Sequence, residues 1–409
     1  MKRFFLAMIA LYLLPAANLR ADDWPQWLGP RRDGASLEKG LLDAFPKDGP
    51  KVAWDRAVGE GFSGTVIAGD RLIVFHRVGE EEVVECIHAL TGKAQWKFAY
   101  ATEYQDQLGK GNGPRSTPAI VGDKLITLGA EGALHCLTLD DGKKLWSRSL
   151  TKDYKTPLGY FGIGTSPVVE QGLVLVNVGG PKAGIVGFDL KDGKEAWKAT
   201  DDPPSYSSPV VTTVDGARLA IFFTRTGAVV LDPKTGAVKY QKRWRARYDA
   251  SVNAATPLVI GNQVFLSTSY ETGAMLLKLK KDGADEIWTD ENVMSNHYNT
   301  CIYHDGHLYG IDGRQEAGPN LRCVELKTRK VKWEQDRFGC GTMIQADGKL
   351  VVLTEKGELC LIQATPAAFR ETARFRLFEN GPCRAQIALA NGRLYARDQK
   401  KLVCVDLRK

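Results

Sequence analysis

The chain has 409 residues, of which 44% are hydrophobic and 25% are charged, and its formal net charge is +7. This composition is typical of a globular protein with a large core, and it excludes disordered, collagenous and multi-pass membrane chains. Eight cysteines over this length are too dilute for a small disulfide scaffold. Forty-two glycines and 18 prolines imply many turns, and therefore many short strands rather than a few long helices.

The first 21 residues have the pattern of a secretory signal peptide. Lys2 and Arg3 precede an apolar run at residues 4–14, and small residues follow that run as far as Ala21. A membrane anchor is the alternative, but no later run reaches the ~18 apolar residues that a spanning helix needs. We therefore expect residues 1–21 to be cleaved, and the mature chain to be periplasmic or secreted without a membrane span.

The charge of the mature chain argues against nucleic-acid binding. Loss of Lys2, Arg3 and Arg20 with the signal peptide lowers the net charge from +7 to +4. The remaining sequence has no long block of lysine and arginine. Phosphate-backbone recognition requires such a basic footprint, so we expect no nucleic-acid partner.

Internal repetition predicts the fold. Eight two-residue turn signals recur at spacings of 42 to 53 residues: Gly69-Asp70, Gly122-Asp123, Gln171-Gly172, Asp215-Gly216, Gly261-Asn262, Asp305-Gly306, Asp347-Gly348 and Asn391-Gly392. Such dipeptides favour tight β-hairpins. A second turn and then an aromatic residue follow in most repeats, the aromatic residues being Trp96, Trp146, Trp197, Tyr240, Trp288, Trp333 and Phe375. Repeats of this length and pattern indicate the blades of a β-propeller.

The two ends of the chain complement each other. The last repeat stops at Lys409 without its aromatic strand, whereas an unassigned strand with Trp54 precedes the first full repeat. If that strand completes the last sheet, eight four-stranded antiparallel sheets close into a ring. We therefore predict an all-β chain: residues 50–409 form an eight-bladed β-propeller closed by its N-terminal strand, and residues 22–49 pack on it. We expect a monomer.

The cysteines fall into two groups. Five of them lie at comparable strand positions and are interpreted as small core hydrophobes: Cys86, Cys136, Cys323, Cys360 and Cys404. Cys301, Cys340 and Cys383 instead lie at or just before the predicted inner strands, where an oxidising compartment would allow a disulfide between Cys340 and Cys383. The tryptophans are interpreted as packing between blades.

The candidate binding residues lie in the loops that lead into the inner strands. In a propeller these loops share one face, the funnel, where ligands are usually bound. The predicted funnel residues are aromatic, basic or amide-bearing: Arg115, Phe161, Tyr206, Asn253, His297, Asn299 and Arg384. They suit an anionic or planar ligand through stacking and charge-assisted hydrogen bonds, and equally suit a plain lining of the channel. The sequence has no metal-ligand spacing and no nucleophile motif, so no metal site is predicted.

The Gly-x-x-x-Trp ending of the repeats, as in residues 91–96 and 141–146, resembles the pyrroloquinoline-quinone-type propeller repeat. That repeat occurs in quinoprotein alcohol dehydrogenases and in the lipoprotein of the outer-membrane β-barrel assembly machine. The opening Asp-Trp-Pro-Gln-Trp-Leu-Gly-Pro at residues 23–30 is similar to the start of many exported bacterial proteins with this repeat. The resemblance covers residues 50–409 and implies an eight-bladed propeller.

Two functions follow from this resemblance. The dehydrogenases hold the quinone beside calcium, with a catalytic aspartate and a disulfide between adjacent cysteines, whereas no two cysteines are adjacent here and no residue matches the calcium ligands. The assembly lipoprotein needs a lipidated cysteine, and none follows the predicted signal. We therefore predict a non-catalytic scaffold without a cofactor that binds an envelope protein, a peptide or a saccharide at its funnel. The alternative is an alcohol dehydrogenase-type oxidoreductase that depends on pyrroloquinoline quinone and calcium.

Overall fold

The computed structural model describes residues 23–379 and 381–409, so the predicted signal peptide lies outside the described residues. The described chain forms eight four-stranded sheets. Its helices are the short α1 (Leu150–Tyr154) and one 3-10 turn, Gln315–Ala317. These observations confirm the all-β class and the eight-bladed propeller of four-stranded antiparallel sheets.

The first strand, β1 (Lys51–Ala57), belongs to the last blade, and the next sixteen strands build blades 1 to 4 in chain order. Blade 1 consists of β2 (Val66–Ala68), β3 (Arg71–Val78), β4 (Glu81–His88) and β5 (Ala94–Ala101). Blade 2 consists of β6 (Ala119–Val121), β7 (Lys124–Leu128), β8 (Ala133–Thr138) and β9 (Lys144–Ser149). Blade 3 consists of β10 (Val168–Glu170), β11 (Leu173–Gly180), β12 (Ala183–Asp189) and β13 (Glu195–Ala199). Blade 4 consists of β14 (Val210–Val214), β15 (Ala217–Phe223), β16 (Gly227–Leu231) and β17 (Val238–Arg243).

The remaining strands build blades 5 to 8. Blade 5 consists of β18 (Leu258–Ile260), β19 (Gln263–Thr268), β20 (Gly273–Lys280) and β21 (Gly283–Asp290). Blade 6 consists of β22 (Ile302–His304), β23 (His307–Asp312), β24 (Asn320–Glu325) and β25 (Val331–Gln335). Blade 7 consists of β26 (Gly341–Ala346), β27 (Lys349–Thr354), β28 (Glu358–Gln363) and β29 (Glu371–Arg376). Blade 8 consists of β30 (Ala388–Ala390), β31 (Arg393–Arg397), β32 (Lys401–Asp406) and β1.

The core lies between the blades. The second strand of blade 3, β11, is buried at every residue, whereas the outermost strand of the same blade, β13, buries only Trp197 fully. Each sheet packs against a neighbour on both faces, so its middle strands carry continuous apolar runs instead of alternating ones. The first strands of adjacent blades contact each other and surround the central channel.

The ring closes as the sequence predicts. Strand β1 pairs antiparallel with β32, and Trp54 lies opposite Cys404. The last sheet therefore has the order β1-β32-β31-β30 and takes its outermost strand from the N-terminal side of the chain. This pairing satisfies the outer edge of β32, which would otherwise be open to another chain.

The Gly-x-x-x-Trp repeat has a direct physical role at the blade interfaces. The indole Nε1 of Trp54 donates to the carbonyl of Ala89 in blade 1 at 2.9 Å, and Trp146 donates to Leu190 in blade 3 at 3.0 Å. Each indole also covers the turn glycine of the next blade. Gly193 has a φ of +71°, and a Cβ there would lie 2.6 Å from the Trp146 ring. Glycine is therefore required both by the backbone conformation and by the covering indole.

Residues 24–35, the first part of the segment before β1, contact the inner strands that surround the central channel. Trp24 exchanges backbone hydrogen bonds with Ile67 of blade 1 at 3.0 and 2.9 Å. The indole of Trp27 donates to Thr256 Oγ1 at 2.9 Å. Thr256 precedes the inner strand of blade 5, which lies across the propeller from blade 1. The nearly fully buried Arg32 donates to the carbonyl of Pro167 in front of blade 3 at 3.1 Å. One segment thus ties together blades that do not touch each other.

All eight cysteines are buried free thiols, so the possible Cys340–Cys383 disulfide is not formed in this structure. Cys340 packs in the apolar core shared by blades 6 and 7, whereas Cys383 packs in the core that includes blades 7, 8 and 1. The two side chains therefore pack into different cores, although the backbone of Glu355 bonds to both cysteines. Burial raises the pKa of each of them to about 12, so both stay protonated at neutral pH.

None of the helices within residues 23–379 and 381–409 combines the length and the apolarity that crossing a bilayer by a helix requires.

Candidate functional site: the funnel cavity

The loops that form the funnel are held by hydroxyl groups at the start of the inner strands. Thr117 Oγ1 accepts a hydrogen bond from the Gly64 amide at 3.0 Å, and Ser166 Oγ accepts from the Thr117 amide at 2.9 Å. Ser208 Oγ accepts from the Ser166 amide at 2.9 Å. A small hydroxyl residue in one blade therefore satisfies a backbone amide of the preceding blade, which fixes neighbouring loops in register.

The funnel contains a cavity of about 160 Å³. Five of the predicted funnel residues line it: Arg115, Phe161, Tyr206, His297 and Arg384. The other lining residues are Trp27, Phe62, Lys110, Gly164, Val252, Ala254, Tyr298 and Gln315. Loops from blades far apart in sequence thus converge on one space.

The two predicted asparagines do not line the cavity. Asn253 is buried, and its amide donates to the carbonyl of Thr224 at 2.8 Å. Asn299 is also buried, and its amide donates to the carbonyl of Gly341 at 3.1 Å. Both side chains hold loops together instead of facing a ligand, which sequence position alone does not reveal.

Each of the two arginines that line the cavity is paired with a carboxylate and lies against an aromatic ring. Arg115 forms an ion pair with the buried carboxylate of Asp106, and its guanidinium lies 5.5 Å from the ring centroid of Phe62. Arg384 forms an ion pair with Glu355, and its guanidinium lies 5.6 Å from the same ring. Phe62 is therefore positioned by cation–π contacts with both arginines. The cavity offers ordered planar surfaces rather than strong positive charge.

Tyr206 and His297 complete the walls of the cavity. Tyr206 Oη accepts from the Phe161 amide at 3.0 Å, and the two rings meet edge to face with centroids 5.6 Å apart. His297 Nδ1 lies 2.7 Å from Gln315 Oε1, and Nε2 lies 3.0 Å from Tyr270 Oη. Burial lowers the pKa of His297, so the ring is neutral at pH 7. Since both ring nitrogens have hydrogen-bond partners, His297 is poorly placed to act as a general base.

Three aromatic walls of the cavity are not among the predicted funnel residues. Phe62 and Tyr298 lie in loops that precede inner strands, as the predicted residues do. Their position in the repeat therefore indicates that they belong to the funnel. Trp27 enters from the channel segment, and its bonded partner Thr256 is 229 residues away. No repeat pattern connects those two positions, so the sequence carries no signal for this contact.

The cavity does not fit a quinone beside calcium. Within residues 23–379 and 381–409, no group of three or more histidine, cysteine, aspartate or glutamate side chains could hold a metal ion. The lining residues include no carboxylate, whereas calcium takes six to eight oxygen ligands. The cavity is also smaller than the roughly 300 Å³ from which small-molecule sites begin. The chemistry of the donor set therefore argues against the calcium–quinone pair.

Comparison with known proteins identifies the family. The PQQ_2 family model, described as outer membrane protein assembly factor BamB, matches residues 38–156 and 80–335. The chain belongs to the PQQ_2 family. A curated relative in that group, the outer membrane protein assembly factor BamB of Burkholderia pseudomallei, is 31% identical over 141 residues. That alignment covers 34% of this chain and 32% of the relative, so it spans about a third of the relative's length.

Solved structures share the PQQ_2 propeller fold. BamB from Moraxella catarrhalis superposes with a TM-score of 0.66 at 14% identity, covering 87% of this chain and 99% of that chain. The quinohemoprotein alcohol dehydrogenase from Comamonas testosteroni superposes with a TM-score of 0.70 at 13% identity, covering 96% of this chain and 82% of that chain. At these identities the likeness concerns the fold, and it confirms the resemblance inferred from the repeat.

Proposed function

We propose that this chain is an exported, non-catalytic propeller that binds a protein partner through its funnel face. The observation that carries the proposal is the cavity itself, where aromatic rings are fixed by two neutralised arginines. Arginine and aromatic residues are enriched among the residues that dominate binding energy in protein interfaces. Membership of the PQQ_2 family and the signal-like sequence at residues 1–21 support export.

The dimensions of the cavity favour one inserted side chain over a whole small molecule. Its volume of about 160 Å³ is below the range of ordinary small-molecule sites. A partner loop could place a single aromatic or aliphatic side chain among Phe62, Phe161 and Tyr206. The three rings would shield that side chain from water on several sides. Such a buried anchor surrounded by weaker contacts is the usual energetic pattern of a protein interface.

Apolar side chains on the surrounding loops support a partner larger than the cavity. Leu108 is 52% exposed between blades 1 and 2, Tyr160 is 38% exposed between blades 2 and 3, and Tyr248 is 53% exposed between blades 4 and 5. All three lie in loops that lead into inner strands, and therefore on the funnel face. Apolar residues around a cavity extend the surface that a partner can bury.

A pull-down from an envelope extract tests the proposal. The Tyr206→Ala/Arg384→Ala double variant removes one aromatic wall and one stacked guanidinium. The matched control is Tyr303→Ala/Arg393→Ala, whose residues flank hairpins at the opposite end of the blades. We expect the wild type and the control to recover the same partner and the funnel variant to lose it. Equal recovery by the wild type and the funnel variant would contradict the proposed face.

A titration separates this function from the oxidoreductase alternative. Pyrroloquinoline quinone and calcium are added to the purified protein while the quinone absorbance and dye-linked alcohol oxidation are followed. We expect neither a saturable spectral change nor oxidation, because the cavity residues do not match calcium. Saturable quinone binding with alcohol-dependent dye reduction would overturn the non-catalytic assignment.

A further inference from the structure

A second pocket lies at the outer rim between blades 1 and 2. Its volume is about 430 Å³, and it shares no lining residue with the funnel cavity. The ends of β5 and β9, the start of β8 and the helix α1 surround it. The lining residues are Tyr100, Ala101, Thr102, Glu131, Ala133, His135, Ser147, Arg148, Ser149, Thr151, Lys152 and Asp153. This volume lies within the ~300–1,000 Å³ range of small-molecule sites.

His135 is the least satisfied side chain of this pocket. It is only 6% exposed, and its buried Nδ1 has no hydrogen-bond partner among the described residues. Its ring centroid lies 4.4 Å from that of Tyr100. Burial lowers the pKa of His135 to about 4, so the ring is neutral at pH 7 and one nitrogen can accept a hydrogen bond. Nδ1 is fully buried and out of reach of a ligand, whereas Nε2 also lacks a partner among the described residues but is not fully buried, so Nε2 is the nitrogen that a ligand in the pocket can contact.

Tyr100 forms a rigid aromatic wall. Its hydroxyl donates to Glu82 Oε2 at 2.6 Å, and Glu82 Oε1 accepts from the Ala130 amide at 2.9 Å. Glu82 is fully buried, so this pair is shielded from water and holds the Tyr100 ring in one orientation. The wall is therefore organised before any ligand arrives.

The charges that line the pocket cancel. Arg148 Nε and Asp153 Oδ2 form an ion pair at 2.7 Å. Glu131 Oε2 accepts from Thr102 Oγ1 at 3.1 Å, and Lys152 supplies the second cation. Two carboxylates and two cations leave no net charge to select an anion or a cation. The pocket instead places hydrogen-bond donors and acceptors next to each other beside the aromatic ring of Tyr100.

A histidine at the centre of the pocket is not a requirement of the repeat. His135 lies opposite Ser147 on neighbouring strands. The equivalent pair in blade 3 is Val186 opposite Lys198. Ser147 and Lys198 each follow the tryptophan of their blade by one residue, so the two pairs have the same register. The repeat fold does not require a histidine here, because blade 3 closes the same position with valine.

We propose that this rim pocket binds a neutral saccharide unit. A sugar presents hydroxyl groups that both donate and accept, together with a weakly polar ring face that packs on an aromatic side chain. Tyr100 supplies that aromatic surface, Nε2 of His135 accepts a sugar hydroxyl, and Glu131 with the serine and threonine hydroxyls completes the polar contacts. The site is independent of the funnel and does not rest on the function proposed for it.

Saturation-transfer NMR and calorimetry on the whole chain test this site. The probes are maltose, cellobiose and N,N′-diacetylchitobiose at up to about 10 mM, since a dissociation constant near ~1 mM is expected for a partly open pocket. We expect saturable binding of at least one probe. The absence of saturable binding for all three would overturn the proposal, as would tighter binding of glucose 6-phosphate than of any neutral probe.

Two variants connect binding to the pocket. Ser147→Trp fills the space opposite His135, and Lys198→Trp makes the same change at the equivalent exposed position of blade 3. We expect the first to abolish sugar binding and the second to leave it unchanged. Unchanged binding by Ser147→Trp would contradict the assignment.

His135→Phe keeps an aromatic ring and removes both ring nitrogens, Nε2 included, so this test does not depend on filling the pocket. We expect the variant to fold with a thermal midpoint at or above that of the wild type and to bind the sugar about tenfold or more weakly. A folded variant with wild-type affinity would contradict the role of His135.

Discussion

Buried arginines connect parts of this ring that no strand pairing joins. Arg397 of blade 8 is 1% exposed, and its guanidinium donates to the carbonyls of Phe75 at 3.2 Å and Gly59 at 2.6 Å. Both acceptors lie on the blade 1 side of the joint between the last and first blades. Burial lowers the pKa of Arg397 to about 10, which leaves the side chain protonated at neutral pH.

Arg397→Met should destabilise the protein because it leaves buried carbonyls without a donor. We expect the free energy of unfolding to fall by about 2–4 kcal/mol in urea denaturation. The control is Arg393→Met on the same strand, whose guanidinium donates to the Asn391 carbonyl in an exposed contact, and a loss below ~0.5 kcal/mol is expected there. Equal losses in the two variants would contradict the bridging role of Arg397.

The depressed pKa of His135 makes stability depend on pH. The unfolded chain takes up a proton near pH 6.5, whereas folded His135 does so only near its pKa of about 4. The stability that neutral His135 confers is therefore fully present above pH 6.5 and is lost as pH falls towards 4. Burial raises the pKa of Glu82, whose contribution has the opposite sign, but Glu82 is common to wild type and variant.

His135→Phe should therefore lose less stability on acidification than the wild type. Between pH 7 and pH 4.5 we expect the wild type to lose about 1–3 kcal/mol more, measured by urea denaturation at both pH values. The same loss in both proteins would show that His135 does not cause the dependence.

At the level of single residues the sequence predicted part of the site. Arg115, Phe161 and Tyr206 were found because repeat register places their loops on one face. Asn253 was misplaced because an amide in a loop can equally hold a neighbouring carbonyl. Trp27 was missed because its partner is distant in sequence and outside any repeat.

The unit that builds the blade interface is a tryptophan on a glycine turn. Trp146 is 8% exposed, covers Gly193 and donates to the Leu190 carbonyl. The same arrangement joins Trp54 to Gly92 at the closing blade. An indole thus buries its ring and satisfies its N–H in one contact, which strengthens the joints between blades that carry it.

Gly193→Ala should cost more stability than alanine at an open turn glycine. Gly122 has a φ of +57°, and no atom beyond its chain neighbours lies within 4 Å of the place that a Cβ would take. Gly122→Ala therefore measures backbone strain alone. We expect about 1 kcal/mol for Gly122→Ala and about 2–4 kcal/mol for Gly193→Ala, in which the Trp146 ring is displaced as well.

A double-mutant cycle with Trp146→Ala tests the contact itself. Removal of the indole should reduce the cost of Gly193→Ala towards that of Gly122→Ala, because the obstructing ring is gone. Strict additivity of the two substitutions in urea denaturation would contradict the proposed contact.

At the level of elements, sequence prediction succeeded where the pattern repeats. Turn dipeptides such as Gly69-Asp70 and Asn391-Gly392 mark hairpins, since the glycine or asparagine adopts positive φ there. The path of residues 24–35 along the channel, and of residues 36–43 over the end of β32, was not predictable from the sequence. Its contacts are single long-range bonds from non-repeating residues, which leave no periodic signal.

The whole molecule depends on closing a ring from its two ends. Strand β1 brings Trp54 to Cys404, and the preceding segment continues through the channel to blades 1, 3 and 5. The funnel cavity follows from this closure, because its lining comes from opposite sides of the ring and its Trp27 from the channel segment. The count of eight blades was predictable, since turn spacing reports it directly.

Disulfide trapping across the closing strands tests the ring most directly. Ala57 and Lys401 are exposed partners on β1 and β32, and all eight native cysteines are buried. Mild oxidation of Ala57→Cys/Lys401→Cys should give a monomer that migrates faster on a non-reducing gel, and reduction should restore the original mobility. The control Ala57→Cys/Lys198→Cys should show no change in mobility on oxidation. No trapping in the first variant, or equal trapping in both, would contradict the closed eight-bladed ring.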